Sequence, residues 1–172
     1  MSTTIPKPYK TLFTLLDPLI ALWGASLFLL SPQTVTSSYL PPTYTPPVDP
    51  SLAHPAAALS SALATSFAEY SVPLHAQIAG HLLSNALLSA VLLRATEEVK
   101  VWRVYQLSLL VVDLFLLYGT FASYAMQGRL NPLATWRIED WGAVSITMLA
   151  GLARLCFLMG VGFGQERRSK RA

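Results

Sequence analysis

At 172 residues, 53% hydrophobic and only 12% charged, the chain carries about half the charge of an average soluble domain. Its mean hydropathy is +0.46. So little polar side-chain surface cannot coat a globule of this size. An ordinary water-soluble domain is therefore excluded, and lipid is the natural solvent for the exterior. The formal charge of +3 informs by placement rather than by sum.

The first apolar run, 11–30, is interrupted only by Asp17-Pro18. A helix rises about 1.5 Å per residue, so this run matches a hydrocarbon core of roughly 30 Å. The rival reading is a cleaved signal peptide with Lys7 and Lys10 as its basic region. Its length, its Asp and its ending, Leu29-Leu30-Ser31-Pro32, argue against that. Residues 31–55 hold Pro32, Pro41, Pro42, Pro46, Pro47, Pro50 and Pro55 among Ser and Thr, the composition of an extended loop. From Ala56 to Tyr70 the composition turns to Ala, Leu and Ser. Leu59, Leu63, Phe67 and Tyr70 recur at helical spacing, which predicts a short interfacial helix or a lead into the next span.

The second span, 74–93, is the weakest, because it includes His75, Gln77, His81, Ser84 and Asn85. A charged turn from Arg94 to Arg103 follows. The third span, 104–126, is strongly apolar around Asp113. A polar stretch leads to the fourth span, 141–164, which is apolar apart from Arg154. The expected fold is all-α: one membrane domain, a four-helix transmembrane bundle with 31–73 as a Pro-rich non-cytoplasmic loop.

Orientation follows from the cations, because cytoplasmic loops carry excess Lys and Arg. With four spans, Lys7, Lys10, Arg94, Lys100, Arg103, Arg167, Arg168, Lys170 and Arg171 share one side. Arg129 and Arg137 lie on the other. This predicts both termini in the cytoplasm. Trp102, Trp136 and Trp141 fall at span ends, where an aromatic belt is expected. The tail Arg168-Ser169-Lys170-Arg171-Ala172 resembles a dilysine-type retrieval signal of the endoplasmic reticulum, with Arg in place of one Lys; as plain anchors these cations would face anionic lipid.

Ionisable groups in hydrocarbon are costly, so they face the bundle and have a partner or a function. The candidates are Asp17, His81, Asn85, Asp113 and Arg154. Counted from the cytoplasmic ends of the predicted spans, Asp17 lies roughly 9 Å deep, Asn85 about 13 Å, Asp113 and Arg154 about 15 Å, and His81 about 20 Å. They form one layer. Asp113 and Arg154, at one depth on adjacent antiparallel spans, are expected to form an ion pair, which either serves function or only locks two helices in register. Asp17 precedes a proline that removes a helix donor, and it can pair with Arg94 or Arg103, or cap. His81 and Asn85 share a helix face at spacing four. They suit a proton relay or a grip on a substrate hydroxyl, and equally plain interhelical hydrogen bonds.

Other signals carry no chemistry. Cys156 is alone, so no intrachain disulfide and no Cys-based zinc site arise. Glu97 and Glu98 lie at the opposite end of the second span from His75 and His81, so no metal site is expected. Gly160, Gly162 and Gly164 have no strand before them and do not form a phosphate cradle; close helix packing suits them better. The basic tail is too short to indicate nucleic acid. No cofactor is implied.

Leu16-Asp17-Pro18-Leu19, Ser31-Pro32, Leu93-Arg94, Val101-Trp102-Arg103 with Gln106 and Asp113, Trp136-Arg137, Asp140-Trp141 and Arg154 together resemble a family of small fungal membrane proteins known only by a domain-of-unknown-function label. The resemblance covers nearly the whole chain and implies four spans without an activity. A weaker likeness is to the EXPERA group, four-span sterol isomerases and sterol-binding proteins of the endoplasmic reticulum. The order of His and Glu in that group is not reproduced here, so no catalytic residue carries over.

Three functions compete. The first is a non-enzymatic bundle that binds lipid or a membrane partner, a second copy of the chain being one such partner. The second is a membrane-embedded isomerase or cyclase acting on a sterol, terpenoid or other apolar secondary metabolite, with Asp17, His81 and Asp113 as acid–base groups. The third, a transporter component, is disfavoured because four spans without an inverted repeat offer little alternating-access machinery.

Overall fold

The computed structural model describes residues 5–32, 35 and 55–163, with the backbone alone over 55–70. Among these residues every regular element is helical. Helix α1, Lys7–Leu30, contains a π-helical turn at Leu12–Leu16. Helix α2 comprises Pro55–Leu87, a second π-turn at Leu88–Leu92, and a final Leu93–Ala95. Helix α3 is Val99–Met126, α4 is the short Pro132–Thr135, and α5 is Ile138–Leu158. Among the described residues, four segments are long and apolar enough to cross a membrane: Lys7–Leu30, Ser71–Ala95, Val99–Met126 and Ile138–Leu158. The outer faces explain why, since Trp23 is 59% exposed, Phe115 71% and Leu149 67%. Such apolar surface is unfavourable in water and at home in lipid.

Several helix boundaries differ from the sequence reading. Of the two alternatives for residues 56–70, an interfacial helix or a lead into the next span, the structure has the second: one helix runs on through Pro73 into the second span. The third span begins five residues earlier, at Val99. The fourth ends at Leu158, not 164, because Gly160 (φ +78°) and Gly162 (φ +83°) take left-handed backbone that only glycine adopts cheaply. Gly160 N–H and Val161 N–H return to the carbonyls of Phe157 and Cys156, closing the helix end as a glycine cap does. These glycines therefore stop α5 rather than let two helices approach; Gly164 lies outside the described residues.

The chain packs as two compact units, one drawn from Met1–Leu19 and Ala86–Ala172, the other from Ile20–Asn85. In the second unit α1 and α2 run antiparallel and meet through small residues. Ala25 and Ala79 are each 1% exposed. A Cβ on Gly24 would stand 3.2 Å from Leu82 Cδ1. His75 is buried with its ring 5.7 Å from that of Phe28.

In the first unit α3 and α5 are antiparallel. Their packing spans three levels: Trp102 against Phe157 (ring centroids 6.2 Å apart), Leu110 and Asp113 beside Gly151, and Tyr124 against the start of α5. Ile5, Phe13, Leu93, Trp102, Tyr105, Leu109 and Phe157 form the buried apolar cluster. Trp102 is thus not a member of an exposed aromatic belt. It is 1% exposed, and its indole N–H donates to the Thr96 carbonyl at 2.8 Å. In lipid, burial of such rings gains dispersion contacts and shape fit, since lipid tails already satisfy apolar surface.

Pro18 explains the first π-turn. Its ring nitrogen cannot donate, so the carbonyl of Thr14, four residues back, loses its helix partner. The helix widens over Leu12–Leu16, and Arg94 Nη2 donates to the freed Thr14 oxygen at 2.9 Å. The two π-turns pack on one another.

Candidate functional site

The buried polar layer is built around Arg154, on α5. Its Nη1 donates to Asp113 Oδ2 on α3, and its Nη2 donates to Asp17 Oδ2 on α1 at 2.9 Å. The three side chains are 8%, 14% and 10% exposed. Helical geometry places each group. Asp17 follows the π-turn that Pro18 induces, Asp113 lies on the α3 face that meets Gly151, and Arg154 is one turn beyond that glycine. One guanidinium thus joins three of the spans.

The same level holds Gln106, which is 0% exposed. It lies midway between Trp102 and Leu110 on α3, and Arg154 lies between their contacts, Phe157 and Gly151, on α5. Neither Gln106 Oε1 nor its Nε2 has a hydrogen-bond partner among the described residues, and neither does Arg154 Nε. Buried polar atoms of this kind are uncommon and costly. Nearby, Tyr105 Oη and Ser89 Oγ are 2.8 Å apart, with Ser89 inside the second π-turn. Single π-turns within α-helices often accompany functional sites. Here both adjoin the polar layer.

The layer assembles differently from the sequence expectation in two respects. Asp17 engages Arg154. Arg94 instead serves the Thr14 carbonyl, and Arg103 lies 5.8 Å over the Phe163 ring. His81 is exposed, whereas Asn85 is half-buried, so the two do not share an inward face. No group of three or more His, Cys, Asp or Glu able to hold a metal ion occurs among the described residues.

A second buried cluster closes the other end of α3 and α5, and sequence reasoning treated its arginine as a loop cation. Arg129 Nη2 pairs with Asp140 Oδ2, both side chains being nearly inaccessible. Tyr124 Oη donates to Asp140 Oδ1 at 2.7 Å, and the Arg137 backbone N–H donates to Asp140 Oδ2 at 2.8 Å. Arg129 also stacks 5.1 Å over the Tyr124 ring, and Trp136 donates to its carbonyl at 3.0 Å. The available signal was an acid at the third position of a helix, where it answers free N–H groups and the helix dipole. At the opposite end Lys10 Nζ bonds Glu97 Oε1 at 2.6 Å on the surface, and this bond holds the Glu97 carboxyl below its ordinary range.

A chain with four apolar helices and charged groups paired inside them is a multi-pass α-helical membrane protein. It belongs to the family of the domain of unknown function DUF7704, which matches residues 2–165. No curated protein and no solved structure matches it.

Proposed function

We propose that the protein is a non-enzymatic membrane bundle of the endoplasmic reticulum, with both termini in the cytoplasm, that holds a lipid or a protein partner. The observation that carries this reading is the double engagement of Arg154. The two acids that an isomerase would need, Asp17 and Asp113, are both committed to one guanidinium, and His81 lies on an exposed face. A general acid or base must reach the proton it moves. Carboxylates locked to an arginine are better placed to fix helix register. The distribution of Lys and Arg supports the orientation, and the basic tail, outside the described residues, supports the organelle.

Complementation of a deletion strain with Asp113→Asn and Asp17→Asn variants tests the reading. Rescue should follow the amount of protein in the membrane. A variant that accumulates normally and rescues nothing would favour chemistry at the carboxylate. The second reading, acid–base catalysis on an apolar substrate, draws on the unsatisfied Gln106 amide, a polar group of the kind that could engage a substrate hydroxyl. Metabolite profiling of the same strains would then reveal an accumulated substrate.

A further inference from the structure

We propose that the outer face of α2 is a homodimer interface in which Gln77, His81 and Ser84 meet the same residues of a second copy. The second span divides its polar residues between two faces. His75 is buried together with Ala79 and Ala86, and Asn85 is half-buried. Gln77, Gly80, His81 and Ser84 are all exposed. At 3.6 residues per turn these four fall within an arc of about 100°, opposite the buried residues. The stripe is bounded along the helix by exposed Leu74 and Leu88.

Position decides what this face requires. Ser71–Ala95 is the segment able to cross the membrane, and His81 lies about 15 Å from its Ser71 end by helical rise. Lipid tails there offer neither donors nor acceptors, so an amide, an imidazole and a hydroxyl facing them would go unsatisfied. Polar side chains with small residues between them are what holds membrane helices together. Among the described residues, a Cβ at Gly80 would meet nothing within 4 Å, so these residues leave the face open to close approach.

A second copy fits by symmetry. Two copies inserted in the same orientation and related by a two-fold axis along the membrane normal bring each residue opposite itself at equal depth. That suits only groups that complement themselves. The glutamine amide, neutral imidazole and serine hydroxyl each donate and accept, so each can bond its own counterpart. A stripe of carboxylates or cations could not. The inference names the partner left open above and rests on the membrane-spanning reading.

Cysteine cross-linking in native membranes tests it. In a Cys156→Ser background, Gln77→Cys and Ser84→Cys should each form a disulfide-linked dimer on oxidation, and Phe115→Cys and Leu149→Cys on the outer faces of α3 and α5 should not. Association in lipid vesicles, followed by energy transfer between labelled copies, should weaken at least tenfold in Gly80→Leu and His81→Leu. The Cβ that Gly80→Leu adds meets no other described residue within 4 Å, and circular dichroism of the same variant separates loss of association from misfolding. Monomeric wild type in vesicles would overturn the proposal. So would cross-links at Phe115→Cys equal to those at Ser84→Cys, a cross-linked product containing a different protein, or unchanged association in both leucine variants. Extraction of the wild type by alkaline carbonate would instead overturn the membrane reading beneath it.

Discussion

Replacing Arg154 by methionine should damage the fold more than any other single change in the buried layer. The substitution leaves two carboxylates, Asp17 and Asp113, 10% and 14% exposed, facing one another without a cation. Removing one partner from a buried ion pair costs about 3–5 kcal/mol. Arg154 serves two acids, and an unpaired Asp at a span centre costs about 2.5–3.5 kcal/mol, so a loss of about 5 kcal/mol is expected. Asp17→Asn and Asp113→Asn behave differently. Either one removes a charge-assisted bond of about 1.5–3 kcal/mol, but it also removes the repulsion between two acids and leaves a one-to-one pair. A net loss of about 1 kcal/mol follows for each. The triple variant Asp17→Asn, Asp113→Asn, Arg154→Met carries no charge in the layer and should recover most of what Arg154→Met loses. Unfolding in mixed micelles by titration with a denaturing detergent, followed by circular dichroism, reads all four. If Arg154→Met were no less stable than Asp113→Asn, or the triple variant no better than Arg154→Met, the ion network would not be what holds these three helices in register.

Arg129→Met should lose about 3–5 kcal/mol in the same assay, because it strands Asp140, with Tyr124→Phe losing about 1 kcal/mol for one hydrogen bond. Gln106→Leu should be neutral or stabilising, since an apolar side chain of similar size replaces an amide with two unsatisfied atoms; a marked loss of stability would mean that the amide has a bound partner. Glu97→Gln should be nearly silent at neutral pH, because the Lys10 pair is solvent-exposed. The Lys10 bond lowers the folded-state value of Glu97, so its contribution is present above the ordinary carboxylate range and is lost as pH falls through the lowered value. Any gap between wild type and Glu97→Gln in a pH series should therefore close under acid and not under base.

Apolar run length made the four spans legible in the sequence, because helix rise and bilayer thickness leave few alternatives. Depth counting also brought Asp113 and Arg154 together, since both lie near the middle of antiparallel helices. Asp17 escaped its true partner because that count assumes a regular helix, and Pro18 makes this one irregular. The π-turn adds a residue to one turn and turns Asp17 toward Arg154, while the freed carbonyl takes Arg94. His81 and Asn85 share a face in a helical projection, but spacing alone does not say which side of that face is covered. The end of α5 was misplaced because hydropathy continues through Gly160 to Gly164 although the backbone does not. Asp140 at the third position of α5 hinted at a partner, but nothing in the sequence pointed to Arg129, because loop cations near a membrane surface ordinarily need no partner.

A bundle in lipid must choose which helix lies against which without help from water. Apolar side chains gain little by trading a lipid tail for a neighbouring leucine. Three arginines supply the discrimination in the unit drawn from Met1–Leu19 and Ala86–Ala172. Arg94 ties the end of α2 to the Thr14 carbonyl, Arg154 ties α5 to α1 and α3, and Arg129 ties the end of α3 to the start of α5. Each link joins elements far apart in the chain or closes the hairpin between them, and each would leave a charge or carbonyl stranded in any other packing. Rotation of one helix by a quarter turn would cost several kcal/mol at these points and almost nothing at the leucines. The scarce charges therefore specify the arrangement, and the abundant apolar residues fill it.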